Sequence, residues 1–163
     1  MTVKYIGAAD LLSRVQGFLD THLAIYTESG GSRGHIIQIP NYPSFLPSLL
    51  LKTKGRKSGR ELITPLGYGL YGGEWVVVAS KAGAPVHPVW FLNMLEQDDV
   101  FFQVATQSFR ARWRVAEGAQ RDPVWDYMVR GYAPFAEYQL AAGSRIIPVV
   151  LLSPMEEVPP YRR

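Results

Sequence analysis

The hydrophobic positions near the start of the chain recur every three or four residues. This spacing, over residues 10–26, places them on one face of an α-helix. We therefore predict an amphipathic N-terminal helix with Asp10 as its N-cap. Few basic residues flank the apolar face, which favours packing on a core over the alternative, contact with a membrane surface or a lipophilic substrate. The apolar positions are Leu11, Leu12, Val15, Phe18, Leu19 and Leu23.

The pattern changes twice after this helix. Glycines at 29–34 and prolines up to Pro47 predict a surface loop, because proline removes backbone donors. From Leu49 onward the apolar segments become short, as is typical of strands. Apolar residues alternate with arginines at Phe109, Ala111 and Trp113, as expected for a strand with one buried face. The predicted strands are residues 49–53, 61–68, 75–79, 100–106, 109–115 and 146–152.

Two further helices interrupt the predicted strands. A short helix at 88–96 follows the third strand, and a longer one begins at Asp122-Pro123, runs to about Ala142 and ends before Gly143. Sequential strands with helices set apart are typical of the α+β class. We therefore expect a single domain over residues 1–163. It would be a small barrel of about six mainly antiparallel strands, with residues 1–48 as an N-terminal extension of helix and loop.

Composition narrows the possible chemistry. Hydrophobic residues make up 47% of the chain and charged residues 19%, which is enough apolar material for a folded core. The absence of cysteine excludes disulfides, thiolate metal sites and thiol chemistry, and the three widely separated histidines predict no metal site. The sequence lacks an apolar segment of membrane-spanning length and an N-terminal signal pattern, so we expect a cytoplasmic protein.

A basic segment at residues 52–60 lies between two predicted strands. It carries five basic residues, two glycines and Ser58, a combination that can wrap exposed amides and cations around a phosphate. With a net charge of +3, the chain could bind an anionic small molecule, an anionic membrane or nucleic acid. A solvated turn or a nucleic-acid contact is the alternative for this segment alone.

A second candidate segment follows the strand at 75–79. Small residues at 79–84 surround Lys81, and a helix begins soon afterwards; small residues let a ligand approach the backbone, and free amides at a helix start favour anions. Trp90 and Asn93 share one face of that helix and offer a planar surface and an amide. The alternative is that Trp90 belongs to the core and Asn93 is an ordinary polar residue.

Taken together, these segments resemble the deazaflavin-dependent nitroreductase family of F420-dependent oxidoreductases. The resemblance implies a split β-barrel that binds coenzyme F420, an 8-hydroxy-5-deazaflavin with a phosphorylated, acidic tail. It also implies hydride transfer to a hydrophobic, electron-poor acceptor such as a quinone, nitroaromatic or activated alkene. The matching segments are LLKTKGRKSGR (50–60), TPL (64–66), VASK (78–81), PVWFLN (88–93), YAPFAEY (132–138) and RIIPVV (145–150).

By position, the resemblance assigns three groups of residues. Those expected to bind the cofactor's phosphate and tail are Lys54, Arg56, Lys57, Ser58, Gly59, Lys81 and Gly83. Those expected around the deazaflavin ring are Pro65, Leu66, Ala79, Ser80, Ala82, Val89, Trp90 and Asn93. Those expected to act in catalysis are Tyr132, Tyr138 and Ser80, with Phe135, Trp90 and Tyr132 lining the substrate pocket.

Two departures from the family pattern stand out. Leu62 replaces a basic residue, which removes one expected tail contact, and Phe135 replaces a tyrosine that relatives direct at nitro substrates. We therefore expect poor reduction of bicyclic nitroimidazoles. The alternatives are a split barrel that uses flavin mononucleotide (FMN) and a non-catalytic protein that binds deazaflavin or lipid. We expect a small hydrophobic substrate, no nucleic-acid partner, a monomer or homodimer, and at most peripheral membrane contact through the N-terminal helix.

Overall fold

The computed structural model describes the backbone of residues 8–38 and 45–161 and the side chains from Phe18 onward, apart from the 39–44 gap. The N-terminal helix is confirmed as α1, Ala8–Glu28. Because α1 starts at Ala8, the prediction that Asp10 is its N-cap is wrong; Asp10 lies in the first turn. Leu11, Leu12 and Val15 lie outside the described side chains. Leu23 packs on a buried cluster formed by Tyr26, Leu50 and Tyr161, as the core-facing interpretation requires.

Eight antiparallel strands follow α1 in the described part of the chain. The order of hydrogen-bonded neighbours in the sheet is β1, β2, β6, β7, β8, β5 and β4. Strand β3 also pairs with β2. The strands are β1 Ile36–Gln38, β2 Phe45–Lys54, β3 Glu61–Gly67, β4 Gly69–Tyr71, β5 Glu74–Val78, β6 Asp99–Val104, β7 Gln107–Val115 and β8 Val149–Val158.

Tyr68 is the corner at which the barrel closes. It alone separates β3, which pairs with β2, from β4, which pairs with β5. Counted as one bent strand, β3 and β4 complete a closed ring of six, which matches the expected split barrel. The Tyr68 hydroxyl lies 2.7 Å from His35 Nε2, and this bond ties the corner to the loop after α1.

The barrel interior and one outer face hold most of the apolar core. Leu49 and Leu51 of β2 point into the barrel with Val77 of β5 and Phe102 of β6. A second cluster lies between the outer face of β5 and β8 and the helices that follow β7. The two clusters bury alternate residues of β5, so this strand has a buried residue on each face.

Strands β2 and β8 differ from the prediction in their bounds. Residues 45–47, expected in a loop, form the start of β2 and pair with β1, with Ile36 opposite Pro47. Proline is tolerated there because its carbonyl accepts from the Tyr68 amide while no donor is required of it. The last strand begins at Val149 rather than Ile146, because Pro148 has no N–H for the ladder, and it continues to Val158. The predicted count of about six omitted β1 and β4.

The helices also differ in part. The short helix is confirmed as α2, Val89–Met94. The longer predicted helix is instead two, α3 Arg121–Gly131 and α4 Pro134–Ala141, separated at Tyr132, whose backbone is extended at φ −149° and ψ 88°. Gly131 and Pro134 flank this break and disfavour a continuous helix. Because α3 is capped by Gln120, the predicted cap at Asp122 is wrong. None of the helices in the described part of the chain is both long enough and apolar enough to cross a membrane.

Candidate functional site

Both candidate segments lie at one end of the barrel. The basic loop connects β2 to β3, and the small-residue turn follows β5. Helix α2 lies between them: Trp90 packs in the barrel core with Leu51 and Ala79, while Asn93 contacts the basic loop. The structure therefore places the two segments, about twenty residues apart in the sequence, at the same end of the barrel.

The basic loop is a tight turn with its cations on the outside. The Gly55 amide donates to the Arg60 carbonyl at 2.7 Å, and the Gly59 amide donates to the Gly55 carbonyl at 2.8 Å. Gly59 has a φ of +70°, a value that glycine adopts without strain. Lys57 and Ser58 are exposed at the tip, and the Ser58 hydroxyl accepts from the Arg60 amide at 3.2 Å. The phosphate cradle stays a prediction, since the Gly55, Gly59 and Arg60 amides already donate within the loop and leave its exposed side chains as the available donors.

Asn93 has a structural contact that the sequence did not indicate. Its side chain is only 2% exposed, and its Oδ1 accepts from the Arg56 amide at 3.1 Å and from Arg56 Nη1 at 3.2 Å. Asn93 therefore positions the basic loop through its oxygen. Only the Nδ2 hydrogens are left for the predicted contact with a deazaflavin ring.

Gln97 fixes the start of the same loop and was missed by the sequence analysis. Its Oε1 accepts from the Lys54 amide at 2.9 Å, and its Nε2 donates to the Lys54 carbonyl at 2.7 Å. A polar residue just after a helix carries no distinguishing signal in a sequence. The two side chains Asn93 and Gln97 together anchor the basic loop to the end of α2.

The turn after β5 has an uncommon backbone. Ser80 is right-handed at φ −77° and ψ −39°, whereas Lys81, Ala82 and Gly83 have φ of 45°, 51° and 80°. A right-handed residue followed by a left-handed one directs successive amides into a concavity that binds anions, called a nest. We refer to the amides of residues 80–82 as the 80–82 nest. Positive φ at a non-glycine residue costs on the order of 1–2 kcal/mol, so neighbouring groups must hold this turn.

Arg145 is one of those neighbouring groups and was not among the predicted site residues. Its guanidinium donates to the carbonyls of Ala84 at 2.8 Å, Ser80 at 2.7 Å and Ala79 at 3.1 Å. It also lies 3.2 Å from His87 Nδ1. The RIIPVV segment contains Arg145, but nothing in that segment indicates which carbonyls it binds.

The contact with Arg145 defines the state of His87. Arginine has no acceptor, so His87 Nδ1 must be the unprotonated nitrogen of a neutral imidazole. Burial, and then the charge of Arg145, lowers the pKa of His87. Burial also lowers the pKa of Arg145.

Helix α4 holds the other side of the turn. A Cβ added at Gly83 would lie 2.7 Å from the Tyr138 carbonyl oxygen and 2.8 Å from the Ala141 Cβ. Only glycine allows this approach of the turn to α4. The same contact places the predicted tyrosines beside the nest, since Ala82 shares a buried cluster with Tyr132 and Tyr138.

The predicted catalytic tyrosines form a buried pair. Both are 8% exposed, and their hydroxyl oxygens are 3.1 Å apart. Phe135 contacts Tyr132 edge-on, with ring centroids 4.9 Å apart. These three predicted residues therefore meet in one aromatic group against α3 and α4, with Trp125 at its edge.

The residues predicted around the ring occupy different environments. Trp90 is 5% exposed and its ring is perpendicular to that of Phe91 inside the barrel. It therefore packs as a core residue, which was the alternative interpretation of its role. Leu66 is half-buried against the same cluster, Pro65 is half-buried on β3, and Val89 is 52% exposed at the start of α2.

The alternative of nucleic-acid binding finds little support in the arginines of β7. Arg110 pairs with Asp99 and Glu156 at 2.8 and 2.9 Å, and Arg114 pairs with Glu74 at 2.7 Å. Two of the three cations on this face are thus already neutralised. In the described part of the chain, His, Asp and Glu side chains form no group of three that could hold a metal.

These features define a class of protein: a split barrel with a backbone nest at residues 80–82 and a basic loop at the same end. The sequence model of the F420H(2)-dependent quinone reductase family matches residues 19–154. This chain belongs to that family.

Individual relatives agree with the assignment. The F420H(2)-dependent quinone reductase Rv1261c of Mycobacterium tuberculosis is 35% identical over 138 residues, which cover 83% of this chain and 89% of that protein. The solved structure of the F420-H2 dependent reductase FDR-A matches with a TM-score of 0.60 at 35% identity and covers 66% of this chain and 94% of that chain. A further structure, described as a domain-swapped dimer, matches with a TM-score of 0.61 at 30% identity and covers 86% and 98%.

Family membership confirms the expectation of an F420-dependent reductase with a split-barrel fold. The alternative that the barrel uses FMN is not favoured. The roles of the individual site residues stay predictions.

Proposed function

We propose that this protein reduces hydrophobic quinones with the hydride of reduced F420. The observation that carries the proposal is the position of the 80–82 nest and the basic loop at the same end of the barrel, in a chain whose family is named for this reaction. When bound, F420H2 supplies the hydride from its deazaflavin ring, while the protein orients the reactants and excludes water.

The anionic part of the cofactor would bind to the two basic segments. The nest amides and the Lys81 ammonium offer donors from one side, and the exposed tip of the basic loop offers cations from the other. The proposed phosphate and tail ligands are Lys54, Arg56, Lys57, Ser58 and Lys81, while Gly59 and Gly83, whose amides donate to Gly55 and Ser80, shape the two turns. Asn93 and Gln97 support this site by holding the loop in place.

The ring and substrate would lie between β3, the turn and α2. The proposed ring contacts are Pro65, Leu66, Ala79, Ser80, Ala82, Val89, Trp90 and Asn93. On the substrate side we propose Phe135, Trp90 and Tyr132 as lining residues, with Tyr132, Tyr138 and Ser80 positioning a proton or stabilising charge on the acceptor oxygen. Phe135 makes this side apolar, which suits a quinone better than a nitro group.

The experiment that tests the proposal compares cofactor binding and turnover. Purified protein is titrated with oxidised F420 and, separately, with FMN while fluorescence is recorded, and F420H2 oxidation is then measured with a soluble quinone. We expect saturable binding of F420 alone and quinone-dependent oxidation. Lys57→Ala should weaken F420 binding about ten- to a hundredfold, the effect of losing one charge-assisted contact.

Arg112→Ala is the control for Lys57→Ala, because Arg112 is an exposed cation on β7 and is not one of the proposed ligands. An unchanged affinity in Lys57→Ala would show that the basic loop is not the anion site. Preference for FMN, or F420 binding without turnover, would contradict the proposed reaction.

A relative of this chain is recorded as a domain-swapped dimer. We propose a monomer or homodimer for this protein, to be decided by light scattering on the purified chain. Helix α1 lies against β3 and the 81–83 turn, so we propose that it covers the site, with any peripheral membrane contact made by the same helix. The cytoplasmic location stays a prediction from the sequence.

A further inference from the structure

We infer that Arg145 is a positioning residue for cofactor binding: it keeps the amides of the 80–82 nest directed at the anion by binding the carbonyls on the opposite side of the turn. This inference rests on the proposed function, since it concerns the site proposed for the cofactor's phosphate. Arg145 itself need not touch the cofactor, because its guanidinium is engaged by three carbonyls and His87.

The stereochemistry of the peptide bond carries the first step. In a trans peptide the C=O and the following N–H point in opposite directions, and the described chain has no cis peptide bonds. The carbonyls of Ala79 and Ser80 point at Arg145. The next amides, those of Ser80 and Lys81, must therefore point away from Arg145. They also donate to no backbone carbonyl among the described residues.

The second step is the strain in the turn. Lys81 and Ala82 have φ of 45° and 51°, which side chains other than glycine disfavour. Without the guanidinium, three carbonyl oxygens would converge with no donor between them, and the turn would relax towards the common right-handed conformation. After such relaxation the amides of residues 80–82 would no longer point to one position. The contacts of Arg145 and the binding of the anion therefore require the same backbone conformation.

Arginine is required here for its shape as well as its charge. The guanidinium is a planar fork with five donors, whereas a lysine ammonium has three donors at a single point. The fork serves three separate carbonyls and a histidine nitrogen. Arg145→Lys therefore keeps the charge but removes the geometry, and Arg145→Gln removes both.

Variants at Arg145 are compared with Arg112→Lys, an exposed arginine on another element. The readouts are the dissociation constant for oxidised F420, obtained by fluorescence titration, and amide resonances of residues 80–82 in a ¹H–¹⁵N spectrum of the protein without cofactor. We expect Arg145→Lys to weaken F420 binding by at least about tenfold and to shift the nest resonances. Arg112→Lys should change neither. If Arg145→Gln fails to fold, Arg145→Lys still decides the matter.

A double-mutant cycle with Lys81→Ala separates positioning from a general loss of stability. If Arg145 acts through the nest, Lys81→Ala should weaken binding much less in the Arg145→Lys background than in the wild-type protein. Unchanged F420 affinity and nest resonances in Arg145→Lys, with Lys81→Ala still harmful, would overturn the role of Arg145 alone. Unchanged affinity in Lys81→Ala and Lys57→Ala would overturn the proposed site, and this inference with it.

Discussion

Gly83→Ala should destabilise the fold more than a loss of glycine flexibility explains. The residue has a φ of +80°, and its added Cβ would lie 2.7 Å from the Tyr138 carbonyl oxygen and 2.8 Å from the Ala141 Cβ. The backbone conformation alone costs alanine about 1–2 kcal/mol. Because the nearest atom belongs to the backbone of α4, the clash adds overpacking of about 1–3 kcal/mol. We expect a total loss of about 2–5 kcal/mol.

Gly143→Ala is the matched control, since Gly143 lies just after the C-terminal end of α4 with a φ of +65° and has nothing within 4 Å of its added Cβ. Both variants incur the conformational cost, but only Gly83→Ala forces the turn and helix apart. Denaturant unfolding measures the difference in free energy of unfolding between the two variants. In thermal unfolding, Tm should fall about 2–4 °C for each kcal/mol lost in a chain of this size. Equal destabilisation in the two variants would refute the close approach of the turn to α4.

The pKa of His87 in the folded protein is lowered from its ordinary value of 6.5, so the unfolded chain binds a proton at this residue more readily than the folded chain does. The contribution of neutral His87 to stability is therefore present above about pH 6.5 and is lost as the pH falls below that value. His87→Gln should reduce that acid sensitivity in Tm measurements. Tyr26→Phe should cost about 1–3 kcal/mol in denaturant unfolding, because the buried hydroxyl donates to Ser48 and accepts from Ala105; an unchanged midpoint would mean that water replaces it. Phe135→Tyr should raise the rate with nitroaromatic substrates but not with quinones, and an unchanged nitro rate would show that a hydroxyl there is not limiting.

Most of the barrel was predictable because each strand has its own pattern of burial. β7 alternates apolar residues with arginines from Phe109 onward, and the glycine pair at 72–73, with φ of 58° and 82°, marks the β4–β5 hairpin by local chemistry. The corner at Tyr68 was not predictable. There the chain changes partner from β2 to β5, and a change of partner leaves no trace in the apolar pattern of the strand itself.

The helical boundaries failed for a similar reason. Apolar residues continue at helical spacing through 122–142, so periodicity alone predicted a single helix. The break at Tyr132 depends on how α3 and α4 turn to cover different parts of the outer face of β5 and β8. Gly131 and Pro134 were visible in the sequence, but residues that permit a break do not require one.

The proposed anion ligands could be predicted from the sequence, whereas the residues that hold their backbone in place could not. Lys57 and Lys81 were predicted as anion ligands because cations in short segments with glycine indicate that chemistry, and these roles stay predictions. Gln97 and Arg145 bind backbone groups of the same two segments from behind, and a side chain that binds backbone can be identified only once the fold brings it close. If the strained turn is held by Arg145 on one side and by α4 on the other, cofactor affinity and local stability should change together. Saturating F420 should then raise Tm in the wild-type protein and raise it less in Gly83→Ala than in Gly143→Ala.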